Sequence, residues 1–398
     1  MVISLLQKEP IQVLYLIDGL EGDGAERQFC ELVKGIHKSE GYVPHVGVLE
    51  SNDSGHAWML EELGITVNRF ERQYRFDLMP IPKIVTYIKN HRIDLVHTYL
   101  SMGSEFGLIA GKLCCVPVIT SSIRDGMNRD WREAVRTWYQ SHLGDIAVAN
   151  SLAGFTSRFK KIRKKFRVIN NGFDLKRFRI SDVDRAQVLN ELNLTGNEKI
   201  VCKAARMEPQ KDHRSLIAAV AKLAKTYPDI VLLLAGQGSK QTELEEYCKD
   251  LSVANRTRFI GHRRDIESVF SVCHVSVLLT NTRIHHEGIS NTIIESMAMG
   301  APVVATCGGG TDEILADTIQ KGPPYEFGIK VDVFNVDQIV GALSYLLSNE
   351  SERMRIGQNA KAMVERRFNL SRFLDLNLEL YRELERKGRL RHHGARAQ

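Results

Sequence analysis

Two carboxylates stand eight residues apart in HHEGISNTIIESMAMG, residues 285–300, with Glu287 in a small-residue turn and Glu295 inside the apolar run that follows. Each has a plain structural explanation. Thr292 and Glu295 have the T-x-x-E spacing of a capping box, and Glu287 could be a loop acid held by the same helix dipole. Together they suggest more, a carboxylate on either side of backbone donors at Gly288, Ile289, Ser290 and Asn291. Carboxylates accept hydrogen bonds from hydroxyls, and exposed N–H groups at a helix start receive anions and sugar oxygens. A nucleotide-sugar, both polyhydroxylated and diphosphorylated, satisfies both sets.

Cations and glycines of the right kind lie elsewhere in the chain. Arg206 and Lys211 in AARMEPQKDHRSL follow an apolar run, where a forked guanidinium and a mobile ammonium suit the oxygens of a diphosphate. Alone, such a pair is more often simply solvated. Gly19, Gly22 and Gly24 in DGLEGDGAERQ lie between a strand pattern and a helix pattern. Their G-x-x-G-x-G spacing is not the G-x-G-x-x-G of the oxidoreductases, which lowers a dehydrogenase reading. They mark either a tight turn or backbone that can approach an anion at a helix start.

The elements that must carry these residues repeat one rhythm. Short runs such as IQVLYLID, VPHVGVL, DLVHTYL and PVITSS alternate with amphipathic segments such as AERQFCELVKGIHK. The rhythm pauses at VINNGFDLKRF, 168–178, and restarts through KIVCKAAR, IVLLLAG, RTRFIGH, VSVLLT and APVVAT. This alternation is the sequence form of βαβ units, so an α/β fold of two doubly wound parallel-sheet domains is expected, joined near 170–180 with an interdomain cleft. A length of 398 residues with 43% apolar content accommodates two cores. The start of the chain has neither the basic lead nor the long apolar core of a signal peptide, and no apolar run is long enough to span a bilayer. Seven cysteines without a C-x-x-C pair fit reduced thiols in a cytoplasmic protein better than a disulfide framework or a zinc site.

The net charge of +6 is unevenly spread. TSRFKKIRKKFRV, 156–168, holds seven Lys or Arg and no acid, beside Phe155, Phe159, Ile162 and Phe166 at helical spacing. Either it is a solvated face, or it contacts an anionic membrane surface. No RNA-binding signature accompanies it, so nucleic acid is not expected as a partner.

The span EGISNTIIESMAMGAPVVATCGGGTDEI resembles the signature of the family 4 retaining glycosyltransferases: Glu, seven residues, Glu, a small-residue helix, G-x-P-V-V-A-T, a glycine pair and another Glu. These features fall here on Glu287, Glu295, Gly300 with Pro302, Gly309 with Gly310, and Glu313. GDGAERQ, VINNGFD, AARMEPQKDHRSLIAA, LLLAGQGS, FIGHRRDI and VERRFNLSRF extend the likeness in order along most of the chain. The resemblance implies the GT-B fold, with an acceptor-side domain over 1–172, a donor-side domain over 173–370, and a terminal helix over 371–398 that crosses back to the first domain and carries a basic tail. It implies that Glu295 accepts from the ribose, that Glu287 holds the transferred sugar beside the 288–291 backbone, and that Arg206 and Lys211 neutralise the leaving diphosphate. Gly22 and Gly24 would close over the phosphates, and Gly261, His262 and Arg263 would lie near the base. Many relatives carry a His after the fifth strand, where this chain has Ile123, Arg124 and Asp125. Arg124 and Asp125, with His97 and Tyr99 on the preceding strand, are candidate sugar or acceptor contacts, although His97 also reads as a packed strand-end histidine.

The expected activity is metal-independent, cofactor-free transfer of a hexose-type sugar from a nucleotide diphosphate sugar, UDP-linked in preference to GDP-linked, to a glycan or lipid-linked acceptor in bacterial envelope assembly. The protein would work in the cytoplasm or on the inner face of the membrane. The alternatives are a nucleotide-sugar epimerase or hydrolase of the same fold, and a non-catalytic binding partner.

Overall fold

A computed structural model of the chain describes residues 9–21, 24–50, 55–74, 76–127, 130–315, 323 and 325–390. Two compact units divide it: unit 1 comprises Met1–Arg124, Asn128–Gly172 and Leu370–Gln398, and unit 2 comprises Asp125–Met127 and Phe173–Asn369.

Unit 1 is built on strands β1 Ile11–Ile17, β2 Tyr42–Val48, β3 Val67–Arg69, β4 Leu95–Tyr99, β5 Val118–Ile123, β6 Ile146–Ala149 and β7 Phe166–Val168. They form one sheet in the order β3-β2-β1-β4-β5-β6-β7. Every pairing is parallel, with Leu14 opposite Val96 and Tyr15 opposite Val46. A parallel strand is covered on both faces, which is why β1 reads as a nearly unbroken apolar run. Val13, Tyr15 and Ile17 enter one core and Leu14 and Leu16 the other. The last helix, Leu370–Arg386, returns to the first of these cores with Phe373, Leu378, Leu380, Tyr381 and Leu384.

Unit 2 repeats the plan with β8 Lys199–Ala204, β9 Ile230–Ala235, β10 Thr257–Gly261, β11 Val275–Leu278, β12 Val303–Thr306 and β13 Gly328–Val331. Their order is β10-β9-β8-β11-β12-β13, again all parallel. In β9, Ile230, Leu232 and Leu234 face one core and Val231, Leu233 and Ala235 the other. The neighbouring positions of β8, β11 and β12 bring the loops at their carboxyl ends side by side, the ordinary place for a ligand in such a sheet.

One expectation is overturned in unit 1. The basic stretch is not a continuous amphipathic helix, because the helix Leu152–Thr156 ends where the cations begin and the segment re-enters the sheet as β7. Phe155 and Phe166 are buried and stack at 4.8 Å between ring centroids, with Phe159 packed against them. Phe155 and Phe166 are core and Phe159 is half-buried against them, so of the expected membrane face Ile162, 47% exposed, is the side chain that stands clear on the surface. No helix among the described residues is long and apolar enough to cross a membrane.

Candidate functional site

The site is assembled from the loops after β8, β11 and β12. β8 runs into a 3-10 turn, Pro209–Lys211, and then the helix His213–Leu223. β11 leads through residues 279–290 to the helix Asn291–Ala298, and β12 leads to the helix Gly310–Leu315. The Lys211 ammonium donates to Glu287 Oε1 at 2.5 Å, and the Thr280 hydroxyl donates to the same oxygen at 2.9 Å. Glu287 Oε2 lies 3.7 Å from His285 Nε2. Burial by itself would push this carboxyl up; the Lys211 charge, with His285, outweighs it and holds Glu287 well below the usual carboxylate range. Glu287 is therefore a fixed anion inside a polar cage.

The backbone of that loop is pinned from two sides. Gly310 N–H donates to the Glu287 carbonyl at 2.8 Å, and Gly126 N–H donates to the His286 carbonyl at 2.9 Å. Asp125 makes an antiparallel bridge to Glu287, which places one candidate contact directly beside the loop. The glycine pair has a steric reason. A Cβ on Gly309 would come within 2.3 Å of the Glu287 carbonyl oxygen, one on Gly310 within 2.2 Å of that of Gly288, and Gly309 sits at φ +62°.

Glu295 sits in the opposite electrostatic setting. It is buried inside its helix, and burial raises its carboxyl to about 7, with Arg177 pulling it down and Glu267 pushing it up. Arg177 itself forks onto both oxygens of Glu267 at 2.9 Å. The capping box suggested by Thr292 and Glu295 does not form: Ser290 is the N-cap residue, and the Thr292 hydroxyl donates to the Ala204 carbonyl at 3.0 Å, tying the helix to the end of β8. Gly288 and Ile289 are buried, and the side chain of Ile289 is taken up by a core cluster. Ser290 and Asn291, half-buried, open the helix.

Other expected residues separate into those at the surface and those taken up by the protein itself. Arg206 is exposed in the loop after β8. Gly261 ends β10, and His262 is exposed beyond it. The Arg263 guanidinium donates to both Glu191 and Asp265 and so ties its loop to a neighbouring helix. In unit 1, Gly24 opens the helix Gly24–His37, while Gly22 lies outside the described residues. His97 is fully buried, with Nδ1 2.8 Å from the Tyr381 hydroxyl and Nε2 3.0 Å from the Ser121 hydroxyl. Both ring nitrogens are satisfied inside the fold, so His97 is the packed strand-end histidine and not a sugar contact. Tyr99 is also buried, under the Arg124 guanidinium 4.6 Å from its ring centroid.

Sequence reasoning missed Lys203. It lies within β8, fully buried, with its ammonium 2.9 Å from the Leu279 carbonyl and 3.5 Å from that of Asp212. Burial lowers it to about 7, against the pull of Asp212, with Lys211 adding to the lowering and Glu287 opposing it. His213 is buried beside it, pushed down to about 2 by burial and then by Lys203 and Lys211. Lysine in the apolar run KIVCKAA was the only signal, a charged residue in a strand that must be covered on both faces.

Comparison with known proteins adds an independent line. Residues 22–177 match the family model described as Glycosyltransferase Family 4, and residues 184–363 match that described as Glycosyl transferases group 1. The chain is 28% identical over 238 residues to the lipopolysaccharide core biosynthesis glycosyltransferase LpsE of Rhizobium meliloti, covering 59% of this chain and 64% of that protein, somewhat under two thirds of the relative's length. It is 22% identical over 320 residues to the UDP-Gal:alpha-D-GlcNAc-diphosphoundecaprenol alpha-1,3-galactosyltransferase of Escherichia coli, covering 77% of this chain and 79% of that protein. The fold is similar to that of Anabaena Alr3699/HepE in its complex with UDP, with a TM-score of 0.81, 22% identity, and coverage of 94% of this chain and 100% of that one.

Proposed function

Because the chain belongs to the glycosyltransferases that the Family 4 and group 1 models describe between them, we propose that it is a retaining, metal-independent hexosyltransferase that takes its sugar from a nucleotide diphosphate sugar. A UDP-sugar is the preferred donor and a GDP-sugar the alternative. The acceptor is a glycan or lipid-linked acceptor of the bacterial envelope, received by unit 1 while unit 2 holds the donor. The observation that carries this reading is the Lys211–Glu287 pair, pinned where the loops after β8, β11 and β12 meet. The names of the Rhizobium and Escherichia relatives, one in lipopolysaccharide core assembly and one using UDP-Gal on a diphosphoundecaprenol-linked sugar, support the donor and acceptor classes.

In this reading each residue has a physical task. Glu287, kept ionised by Lys211 and His285, accepts hydrogen bonds from hydroxyls of the transferred sugar, and the backbone of Gly288, Ile289, Ser290 and Asn291 lies beside it. An ammonium has three N–H donors, so Lys211 can hold Glu287 and still present hydrogens to the diphosphate. Arg206, exposed in the loop after β8, supplies a second cation for the charge that develops as the nucleotide diphosphate departs. Glu295 accepts from the ribose.

The test is a thermal-shift panel of the purified protein against UDP, GDP, ADP and their sugar conjugates, followed by transfer assays with the donor that shifts the melt, since a ligand bound only to the folded state raises its stability. A selective shift by one nucleotide and its sugar conjugate, with transfer to an envelope glycan, is the expected result. No shift by any nucleotide, or donor consumption that is indifferent to acceptor, overturns it.

A further inference from the structure

The helix Trp131–Leu143 in unit 1 is inside out. It buries Thr137, Gln140 and Ser141, and leaves Trp131, Val135 and Trp138 71%, 54% and 56% exposed. Positions 131, 135 and 138 are i, i+4 and i+7, so the three form one stripe along the solvent side. The orientation is fixed by the polar face. Gln140 Nε2 donates to the Ser101 carbonyl at 2.9 Å, the Thr120 hydroxyl donates to the Gln140 carbonyl at 3.4 Å, and Asp130 caps the helix by accepting from Glu133 N–H. Isolated exposed apolar side chains need no explanation, but a contiguous stripe held outward by hydrogen bonds on the opposite face does.

The basic loop is attached to the end of this stripe. The Lys165 ammonium donates to the carbonyls of His142 and Gly144 at 2.5 and 2.8 Å, and the His142 ring stacks on Trp138 at 4.6 Å while touching Phe159 at 5.7 Å. Lys160, Lys161, Arg163 and Lys164 are exposed there, with Ile162 among them. Acids nearby are paired elsewhere: Glu133 lies 3.8 Å from Arg158, Glu105 3.6 Å from Arg136, and Asp145 binds Lys112 and Arg389.

We propose that this face, the Trp131–Val135–Trp138 stripe together with the 160–164 loop, docks unit 1 on an anionic lipid bilayer. Tryptophan partitions to the level of lipid headgroups, and clustered cations beside it are drawn to the negative surface potential. The exposed aliphatic side chains Val135 and Ile162, which give a base nothing to stack on, sit between and beside the indoles and suit acyl chains. A second copy of the chain is disfavoured, because a two-fold contact through this face would set one four-cation loop against the other. The aromatic anchors are thus on a different element from the phenylalanines that the sequence pattern singled out, and the inference does not depend on the donor chemistry.

The experiment uses the full chain with vesicles of phosphatidylcholine alone or mixed with phosphatidylglycerol, read by co-sedimentation and tryptophan emission. Trp58, Trp131 and Trp138 are the only tryptophans, so a Trp58→Phe protein reports on the stripe alone. It should pellet with the anionic vesicles, blue-shift on binding, and release as salt is raised. Trp131→Ser with Trp138→Ser should weaken binding at least tenfold. Reversal of Lys160, Lys161, Arg163 and Lys164 to Glu should abolish it, with the thermal melt of both variants unchanged. Equal pelleting with neutral vesicles, no pelleting with either, or wild-type binding by both variants overturns the proposal. So does a blue shift on concentrating the protein alone as it dimerises, or on adding single-stranded RNA without lipid.

Discussion

The carboxyl ends of the two sheets hold their polar side chains in opposite ways. In unit 1 the interior end of β4 carries a neutral chain: Tyr15 and Tyr381 hydroxyls 2.7 Å apart, then His97, then Ser121. Burial, with Arg124 adding to it, lowers His97 to about 3, so the ring is uncharged at any ordinary pH. In unit 2 the corresponding end carries charge, with Lys203, Lys211 and Glu287 in one group. The neutral chain has spent its hydrogen-bonding capacity on itself and so joins the terminal helix to β1 and β4. The charged group keeps donors and an ionised carboxylate available. Buried polar residues at comparable places in the same architecture are closed on one another in one unit and keep charge in the other, and the difference lies in what remains unsatisfied.

The largest effect should come from Glu287. Glu287→Gln keeps the shape and removes the anion that Lys211 neutralises, and loss of a preorganised interaction of this kind costs about 10²- to 10³-fold in turnover. Steady-state transfer assays beside a thermal melt would read it. Undiminished turnover in a folded variant would remove Glu287 from the site and erase the contrast between the units.

Lys203 gives the next largest effect, on stability. Its folded value is lowered to about 7 from 10.5. The unfolded chain therefore binds the extra proton between those values, and stability rises with pH across that window, by at most about 1.4 kcal/mol per pH unit. Below about 7 both states are charged and the burial penalty is complete. Denaturant melts at pH 7 and 9.5 should show the rise in the wild type and not in Lys203→Met. The same slope in both proteins would assign it to another group.

These two residues also show what the sequence could and could not reveal. Strands such as IQVLYLI and IVLLLA were legible because burial on both faces leaves an unbroken apolar run. β3, β7 and β13 have three or four residues each, too few for a period to emerge. Glu287 stood out by its spacing from Glu295, whereas Lys203 shows in the sequence only as a charge within an apolar strand, and its partners at Leu279 and Asp212 are brought to it by the tertiary fold. Phe155, Phe159 and Phe166 misled for a related reason: their helical spacing spans a helix end, a turn and a strand, and what unites them is a ring stack.

On the neutral side, Tyr381→Phe removes one hydroxyl and leaves Tyr15 and His97 each short of a partner, at a cost of about 1–3 kcal/mol. Turnover per folded molecule should hold. A fall in turnover without a fall in melting temperature would mean that the unit 1 network takes part in the chemistry after all.

Glu295 gives the smallest effect and tests whether the charged unit uses its second carboxylate as proposed. Burial raises this carboxyl to about 7 from 4.5. It therefore contributes fully to stability below its unfolded value and loses that contribution as pH rises through about 7, so Glu295→Gln should gain thermal stability over the wild type at pH 8 and little at pH 5. Ribose hydroxyls donate hydrogen bonds, which favours the ionised form and couples binding to proton release. Nucleotide affinity, measured by calorimetry, should then rise by up to roughly tenfold between pH 6 and 8 in the wild type and stay flat in Glu295→Gln. If the affinity of the wild type is equally flat while the stability difference persists, Glu295 is a buried acid that never meets the ligand, and its carboxyl answers only to burial and to the charges of Arg177 and Glu267.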